Sequence, residues 1–152
     1  MKKVLIAIDY NPVSEQVAKA GHDLSKKLNA EVCLMHVLTD VSYYGMQYPT
    51  FMGYDGYNLA TDMNLSQEMR NFAEEFLKTA TDHLQDPTAS YHLAEGETDT
   101  ALLHYAKEWN ADLIVMGTHS HSTLEKLLVG TIASRVLEKT DIPVYMVPIK
   151  KE

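Results

Sequence analysis

The chain has 152 residues, of which 45% are hydrophobic and 22% are charged, so it is long enough for one domain with a buried core. We therefore expect a single domain over residues 1–152. No apolar run approaches the ~20 residues that cross a bilayer, and no signal-peptide pattern follows Met1, which predicts a cytoplasmic protein without membrane insertion. The formal net charge of −8 argues against a nucleic-acid partner, because such binding relies on a basic surface.

The first part of the chain has the pattern of a strand, a helix and a second strand. Apolar runs with β-branched residues predict strands over residues 3–8 and 30–38. Between them, Asn11 suits a helix N-cap and Pro12 suits the first helical position. Helical spacing then predicts an apolar stripe, with charges on the other face of the helix, made of Val13, Val17, Ala20, Leu24 and Leu28. The single cysteine, Cys33, falls inside the second apolar run and is expected to be a buried hydrophobic residue.

A long segment from Asp40 to about Leu65 breaks this rhythm. It contains five of the nine tyrosines, namely Tyr43, Tyr44, Tyr48, Tyr54 and Tyr57. Connections of this length are uncommon and are usually functional or disordered, and the aromatic content argues against disorder. Three interpretations stay open: a lid over a ligand site, a surface for a partner, or a loop packed by its own side chains.

The second half of the chain continues the alternation of helices and strands. Helices are predicted over residues 66–84, from Thr98 (a possible cap) and from Thr131, and strands over residues 89–94, 113–116 and 142–147. Pro143 and Pro148 bracket the last strand, which suits an edge position. Strands that alternate with helices, several of them apolar throughout, predict an α/β fold with a parallel sheet and helices on both faces.

The most informative stretch joins the predicted fourth strand to the helix from Thr131. Gly117 ends the strand, a polar run over residues 118–123 follows, and Gly130 precedes the helix. The unpaired N–H groups and the dipole of a helix N-terminus favour an anion there. Ligands of open parallel sheets lie beyond the carboxyl ends of the strands, where Asp9 and Gly117 both fall. We interpret this loop as the phosphate-binding loop of a nucleotide site.

Other chemistries find less support in the sequence. The chain lacks the G-x-x-x-x-G-K-[ST], G-x-G-x-x-G and G-x-S-x-G motifs, and no catalytic residue is assigned. His119 and His121 lack the companion ligands of a structural zinc site, so no metal site is predicted; the alternative is a polar surface loop. Asp9 has a simpler interpretation as a cap of the first helix. His36 and His104 fall in apolar patterns and are expected to be packed or hydrogen-bonded.

Several of these residues carry a resemblance to a known family. The pattern Gly117-x2-Ser120-x9-Gly130-Thr131 resembles the G-x2-G-x9-G-[S/T] motif of the universal stress protein family. The segments KVLIAID, ADLIVMGTHS, LLVGTIASRVL and IPVYMVP agree in the same order, so the resemblance covers nearly the whole chain. It implies an open five-stranded parallel sheet of order 3-2-1-4-5 with helices on both faces, Rossmann-like and similar to the adenine nucleotide alpha hydrolases. It also implies a homodimer through antiparallel pairing of the last strands, here around Ile142, Val144 and Met146.

The resemblance assigns roles to individual residues. In ATP-binding members, the positions of Asp9 and Ala7 line the ribose and adenine end of the site. Val37 would pack on the adenine. Met116 and Gly117 would lie against the ribose and phosphates. Backbone or hydroxyl groups for the triphosphate would come from His119, Ser120, Gly130, Thr131, Ile132 and Ala133. The implied cofactor is ATP, with Mg²⁺.

Two positions depart from the family pattern. Ser120 stands where the motif has its second glycine, although a serine still offers an N–H and a hydroxyl to a phosphate. Tyr10 follows Asp9 where the family has small residues, and it either crowds the crevice or stacks on a ligand. The predicted function is a dimeric regulator of the stress response that binds ATP or another adenine nucleotide and is at most a slow ATPase. The alternative is a stress-response dimer that binds no nucleotide and acts through protein partners.

Overall fold

The structure is a computed structural model that describes residues 2–39, 63–118 and 130–149. The predictions for Tyr43 to Tyr57 and for His119, Ser120 and His121 lie outside the described residues. The described elements are, in chain order, β1 (Lys3–Ala7), α1 (Ser14–Lys27), β2 (Glu31–Leu38), α2 (Met63–Asp82), β3 (Ser90–Glu95), α3 (Thr98–Glu108), β4 (Leu113–Gly117), α4 (Thr131–Lys139) and β5 (Val144–Val147).

The described strands form one parallel sheet in the order β3-β2-β1-β4-β5. This order confirms the α/β fold that the resemblance implied and the edge position of the last strand. From β1 the chain moves outward to β2 and β3, and it then returns to the other side of β1 for β4 and β5. The order of the strands therefore reverses between β1 and β4.

Strand side chains alternate between two apolar layers, one on each face of the sheet. On one face, Leu5 and Ile114 pack with α3 and α4 in what we call the α3–α4 layer. On the other face, Val4 and Ile6 pack with α1 and α2 in the α1–α2 layer. Covered faces explain the continuous apolar runs of the strands. Within the described part of the chain, no helix has both the length and the apolar character to span a bilayer.

Helix α1 differs from its prediction in its start and in its buried face. It begins at Ser14 and not at Pro12, and Val13 takes the N-cap position predicted for Asn11. The Asn11 side-chain oxygen accepts the Val13 N–H at 3.1 Å in the turn before the helix. Of the predicted stripe, Val17 is buried and Ala20 and Leu24 are half-buried against the α1–α2 layer, whereas Leu28 is 37% exposed. The buried residues are Ser14, Val17, Ala18, Gly21, His22 and Ser25. Small residues line this face because the helix lies close to the sheet: a Cβ on Gly21 would come within 2.6 Å of Ile6 Cδ1.

Four further predictions are tested by the described residues. Cys33 is fully buried, as expected. Thr98 is the first residue of α3 and not its cap, because Glu97 occupies the N-cap position. The last strand starts at Val144 and not at residue 142. Pro143 accepts the Ile114 N–H through its carbonyl, but a proline has no N–H to donate to β4 in return. The prediction for His104 is wrong, since its side chain is 78% exposed.

Candidate functional site

The strands part at the carboxyl end of the sheet between β1 and β4. The β1–β4 pairing ends at Ile6↔Val115, whereas β1 continues along β2 to Ala7↔Met35. The Ile8 N–H then donates to the Met35 carbonyl at 2.9 Å. On the other side, β4 continues along β5, so the two central strands follow opposite neighbours. We call the space between residues 7–9 and 116–118 the switch crevice, which is where open α/β sheets hold ligands.

Asp9 is exposed at the edge of the switch crevice and organises the turn into α1. Its Oδ1 accepts the Asn11 N–H at 2.9 Å and the Ser14 hydroxyl at 2.7 Å. The Asp9 N–H donates in turn to Ser14 Oγ at 3.1 Å. The interpretation of Asp9 as a cap of the first helix is wrong, because Val13 is the N-cap residue and no side chain makes a cap bond there; Asp9 instead bonds the turn before α1. Ser14 was missed by sequence reasoning, although an Asp followed five residues later by a Ser at a helix start was its available signal.

Five of the predicted site residues share the α3–α4 layer. They are Ala7, Val37, Met116, Ile132 and Ala133. Val37 and Met116 are each only 6% exposed, so they present little more than an edge to a ligand. The layer brings the first turn of α4 to the same face of the sheet as the end of β1. It forms an apolar floor beside the switch crevice.

The N-terminus of α4 requires a glycine. Gly130 is the N-cap residue with φ 79° and ψ 156°, a backbone conformation that is essentially restricted to glycine. Its carbonyl accepts the Ser134 N–H at 3.0 Å and so begins the helix. The N–H groups of the first turn have no acceptor within the helix, and no acidic side chain lies in that turn. The start of α4, including the exposed Thr131, therefore favours an anion.

Gly117 is required by packing. A Cβ at this position would lie 2.6 Å from Ile149 Cδ1 and 2.7 Å from Val17 Cγ2, both in the α1–α2 layer. The chain after β5 is bonded to the residue that follows Gly117, because the Ile149 N–H donates to Thr118 Oγ1 at 2.9 Å. Because Gly117 has no side chain, Val17 and Ile149 can pack against its backbone on the face opposite Met116. Any ligand contact of Gly117 is a contact of its backbone.

A second concavity, of about 300 Å³, lies between β3 and α3. His92 and Tyr105 stack in its wall, with ring centroids 3.7 Å apart and an angle of 2° between the planes. Its lining includes three glutamates and neither lysine nor arginine, so it does not suit a phosphate. Within the described ranges, no group of three His, Cys, Asp or Glu side chains is placed to hold a metal ion.

An open parallel sheet whose switch point faces the glycine-started N-terminus of a helix defines a class of α/β proteins that bind ligands beyond their strand ends. Within this class, the family model described as "Universal stress protein family" matches residues 1–148. The chain belongs to the universal stress protein family. It is similar to universal stress protein A homolog 1 of Coxiella burnetii (strain RSA 493 / Nine Mile phase I), at 28% identity over 152 residues that cover 99% of this chain and 98% of that protein.

Solved structures of the family share the fold at low sequence identity. The universal stress protein UspA from Lactobacillus plantarum has a TM-score of 0.72 at 16% identity, over 96% of this chain and 97% of that one. A universal stress protein from Archaeoglobus fulgidus in complex with dAMP has a TM-score of 0.64 at 19% identity, over 96% and 97%. A universal stress protein in complex with cAMP has a TM-score of 0.62 at 18% identity, over 97% and 96%. These likenesses bear on the fold.

Proposed function

We propose that this chain binds an adenine nucleotide in the switch crevice and acts as a dimeric regulator in the stress response. The observation that carries the proposal is the start of α4. There, Gly130 adopts a conformation restricted to glycine, and the helix presents its first turn on the same layer as the end of β1. A phosphate is the ligand that such a helix start favours. The dAMP and cAMP complexes of two structural neighbours support an adenine nucleotide as the class of ligand.

The preferred nucleotide in this proposal is ATP. Asp9 and Ala7 would meet the ribose and adenine, with Val37 at the adenine edge. Met116 and the backbone of Gly117 would face the ribose and phosphates. The groups proposed for the triphosphate belong to His119, Ser120, Gly130, Thr131, Ile132 and Ala133. Mg²⁺ would arrive with the nucleotide, because it prefers phosphate oxygens and water to an all-protein cage.

The dimeric part of the proposal involves β5. This strand lies at the edge of the described sheet and pairs with β4 on one side. An open edge is a template for pairing with another chain, and Tyr145 on this strand is 45% exposed. We propose that a second copy pairs antiparallel with it around Ile142, Val144 and Met146. Sedimentation at several protein concentrations tests this part separately.

Thermal unfolding at a fixed protein concentration tests the nucleotide. A ligand at a hundred times its Kd adds about 2.7 kcal/mol of stability, which raises Tm by roughly 5–11 °C for a domain of this size. ATP with and without Mg²⁺, AMP and cAMP should raise Tm, and GTP should raise it less. Release of phosphate from ATP, measured on the same samples, should be slow or absent. The proposal fails when no adenine nucleotide shifts Tm at millimolar concentration, an outcome that favours a function through protein partners.

Two glycine variants make the test specific to α4. Gly130→Ala strains the helix start and should weaken nucleotide binding by about 1–2 kcal/mol, roughly five- to thirtyfold. The matched control is Gly96→Ala, because Gly96 also has a positive φ (126°) and a Cβ there meets nothing within 4 Å. Both variants should lose comparable stability, but only Gly130→Ala should lose affinity. Equal affinity in the two variants would contradict the assigned role of α4.

A further inference from the structure

His36 is a buried histidine at the carboxyl end of β2, only 4% exposed. Its ring lies on the same face of the sheet as the α1–α2 layer, opposite the proposed nucleotide contacts of Val37. Its Nδ1 lies 2.9 Å from the carbonyl oxygen of Ile8. Because a carbonyl only accepts, the Nδ1 carries the hydrogen and donates it.

This bond completes the hold of β2 on the residue that follows β1. The Ile8 N–H already donates to the Met35 carbonyl at 2.9 Å, so both backbone groups of Ile8 are bound to β2. By this point β1 has parted from β4, whose pairing ends at Ile6↔Val115. The His36 bond therefore fixes the peptide that leads directly into Asp9.

The same ring also packs against Tyr10, the residue after Asp9. The ring centroids of His36 and Tyr10 are 4.5 Å apart. Phe76 of α2 encloses this pair, with its centroid 5.0 Å from that of Tyr10 and 5.7 Å from that of His36. His36 thus contacts the residues on both sides of Asp9. The sequence left open whether Tyr10 crowds the crevice or stacks on a ligand. In the structure, its ring packs in this aromatic cluster.

The ring performs this role in its neutral form. Its Nε2 is buried and has no hydrogen-bond partner among the described residues. A proton on Nε2 would place a charge in an aromatic enclosure without an acceptor, and burial accordingly lowers the pKa of His36. Among the described residues, the hydrogen bond to the Ile8 carbonyl and then the charge of Asp9 oppose this effect of burial. The ring also contacts the ionisable Tyr10 and the uncharged ring of Phe76 from α2.

We propose that His36 is a positioning residue for the nucleotide site, which holds Asp9 at the switch crevice by bonding Ile8 and packing on Tyr10. The assignment rests on the proposed function for its ligand, but the hold on the Asp9 turn is measurable without any ligand. Nothing in the role requires His36 to touch the nucleotide.

Three variants separate the hydrogen bond from the packing. His36→Leu removes the donor, whereas His36→Asn places an amide N–H close to the position of Nδ1. The matched control is His22→Gln in α1, which alters the other histidine that is buried among the described residues and keeps a donor for Asp86. All are checked for the fold by circular dichroism and unfolding.

The first readout is amide hydrogen exchange of the full chain without nucleotide. In His36→Leu, the amides of Asp9 and Asn11 should exchange about three to ten times faster, the range expected for the loss of one hydrogen bond. The Ala111 amide, which donates to the Ala106 carbonyl at 2.8 Å beyond α3, serves as the internal reference and should not change. Exchange in His22→Gln should match that of the wild type. Exchange in His36→Asn, which keeps the donor but loses the ring contact with Tyr10, should lie between that of the wild type and that of His36→Leu.

The second readout is ATP affinity by calorimetry at pH 7.5 and pH 5.5. His36→Leu should bind ATP about three to ten times more weakly at pH 7.5, and the affinity of His36→Asn should lie between that of His36→Leu and that of the wild type. The ratio of wild-type to His36→Asn affinity should be the same at pH 5.5 as at pH 7.5, because burial lowers the pKa of His36 and so favours the neutral ring.

The outcomes distinguish the two proposals. Unchanged exchange at Asp9 and Asn11 in His36→Leu overturns the role of His36, whether or not ATP binds. Faster exchange with unchanged ATP affinity also overturns it as a positioning residue for the ligand. If the wild type binds no adenine nucleotide, the proposed function fails, and the exchange data alone then decide whether His36 holds the turn.

Discussion

Replacing Gly117 with alanine tests the packing at the end of β4. The added Cβ would lie 2.6 Å from Ile149 Cδ1 and 2.7 Å from Val17 Cγ2, about 1 Å inside the ~3.5–4.0 Å at which carbon atoms attract. The contacting atom of Ile149 is the end of its side chain, which can rotate away. Val17 is 2% exposed and stiff at χ1, so relief there requires a shift of α1. Overpacking of this kind costs about 1–3 kcal/mol.

The assay is urea unfolding with thermal unfolding as a second probe, both at one protein concentration. A loss of about 1–3 kcal/mol lowers Tm by roughly 2–12 °C in a domain of this size. Val17→Ala alone should cost about 1.5–3 kcal/mol through lost burial and a cavity. Because the new Cβ occupies the space that Val17 vacates, the double variant should be no less stable than Val17→Ala to within ~0.5 kcal/mol.

Two results would refute this reasoning. The first is a Gly117→Ala protein as stable as the wild type, which would mean that the space beside β4 is not filled. The second is a double variant in which the two losses simply add, because Val17 and residue 117 would then not share that space.

Two further predictions concern the contact between His22 of α1 and Asp86, and the thiol of Cys33 in the α3–α4 layer. Asp86 accepts bonds from Thr88 and lies 2.9 Å from His22 Nε2, which together lower the pKa of its carboxyl group to about 2. Since this pKa is lower when the chain is folded, the carboxylate stabilises above about pH 4 and that contribution fades towards pH 2. We expect Asp86→Asn to lower the free energy of unfolding by about 1–2 kcal/mol at pH 7 and by almost nothing near pH 2, as measured by urea titrations across that range. A loss that does not change with pH would contradict the pairing. Burial raises the pKa of the Cys33 thiol, so a disulfide reagent should label this single cysteine only through opening of the fold, and rapid labelling without urea would contradict its burial.

Strands were accessible to sequence reasoning because buried parallel strands are continuous apolar runs bounded by polar residues. Their starts and ends came within two residues of the structure, as for β5, which begins at Val144. The order of the strands is different in kind. Alternation of helices and strands predicts a parallel sheet, but only the resemblance, carried by residues such as Gly117 and Gly130, implied the order that the structure confirms.

The small buried residues of α1 escaped prediction because the rule for amphipathic helices looks for large apolar side chains. Where a helix lies close to a sheet, small residues such as Gly21 and Ser25 take the buried positions and Leu28 remains exposed. The prediction that His104 is packed was wrong for a different reason. His104 follows two apolar residues in the sequence, but it lies outside the helix face that Leu102 and Ala106 share.

Parts of the candidate site depend on contacts between residues that are distant in the chain. Gly117 meets Val17 and Ile149, and no local pattern connects the three. The bond from His36 to Ile8 likewise joins β2 to the residue after β1, and it depends on the register of these two strands. By contrast, the glycine at the start of α4 was predictable, because its role is local to the helix.

The backbone of Gly130 also has a genetic consequence. Every amino acid that a single nucleotide change can reach from a glycine codon carries a Cβ, and at φ 79° and ψ 156° each of them is strained by about 1–3 kcal/mol. That is a large part of the ~5–15 kcal/mol by which a domain is usually stable. Substitutions of Gly130 are therefore selected against because they lower the stability of the fold as well as the affinity for the ligand. Among relatives, the residue at this position should separate lineages that still use the helix start from those that have abandoned it.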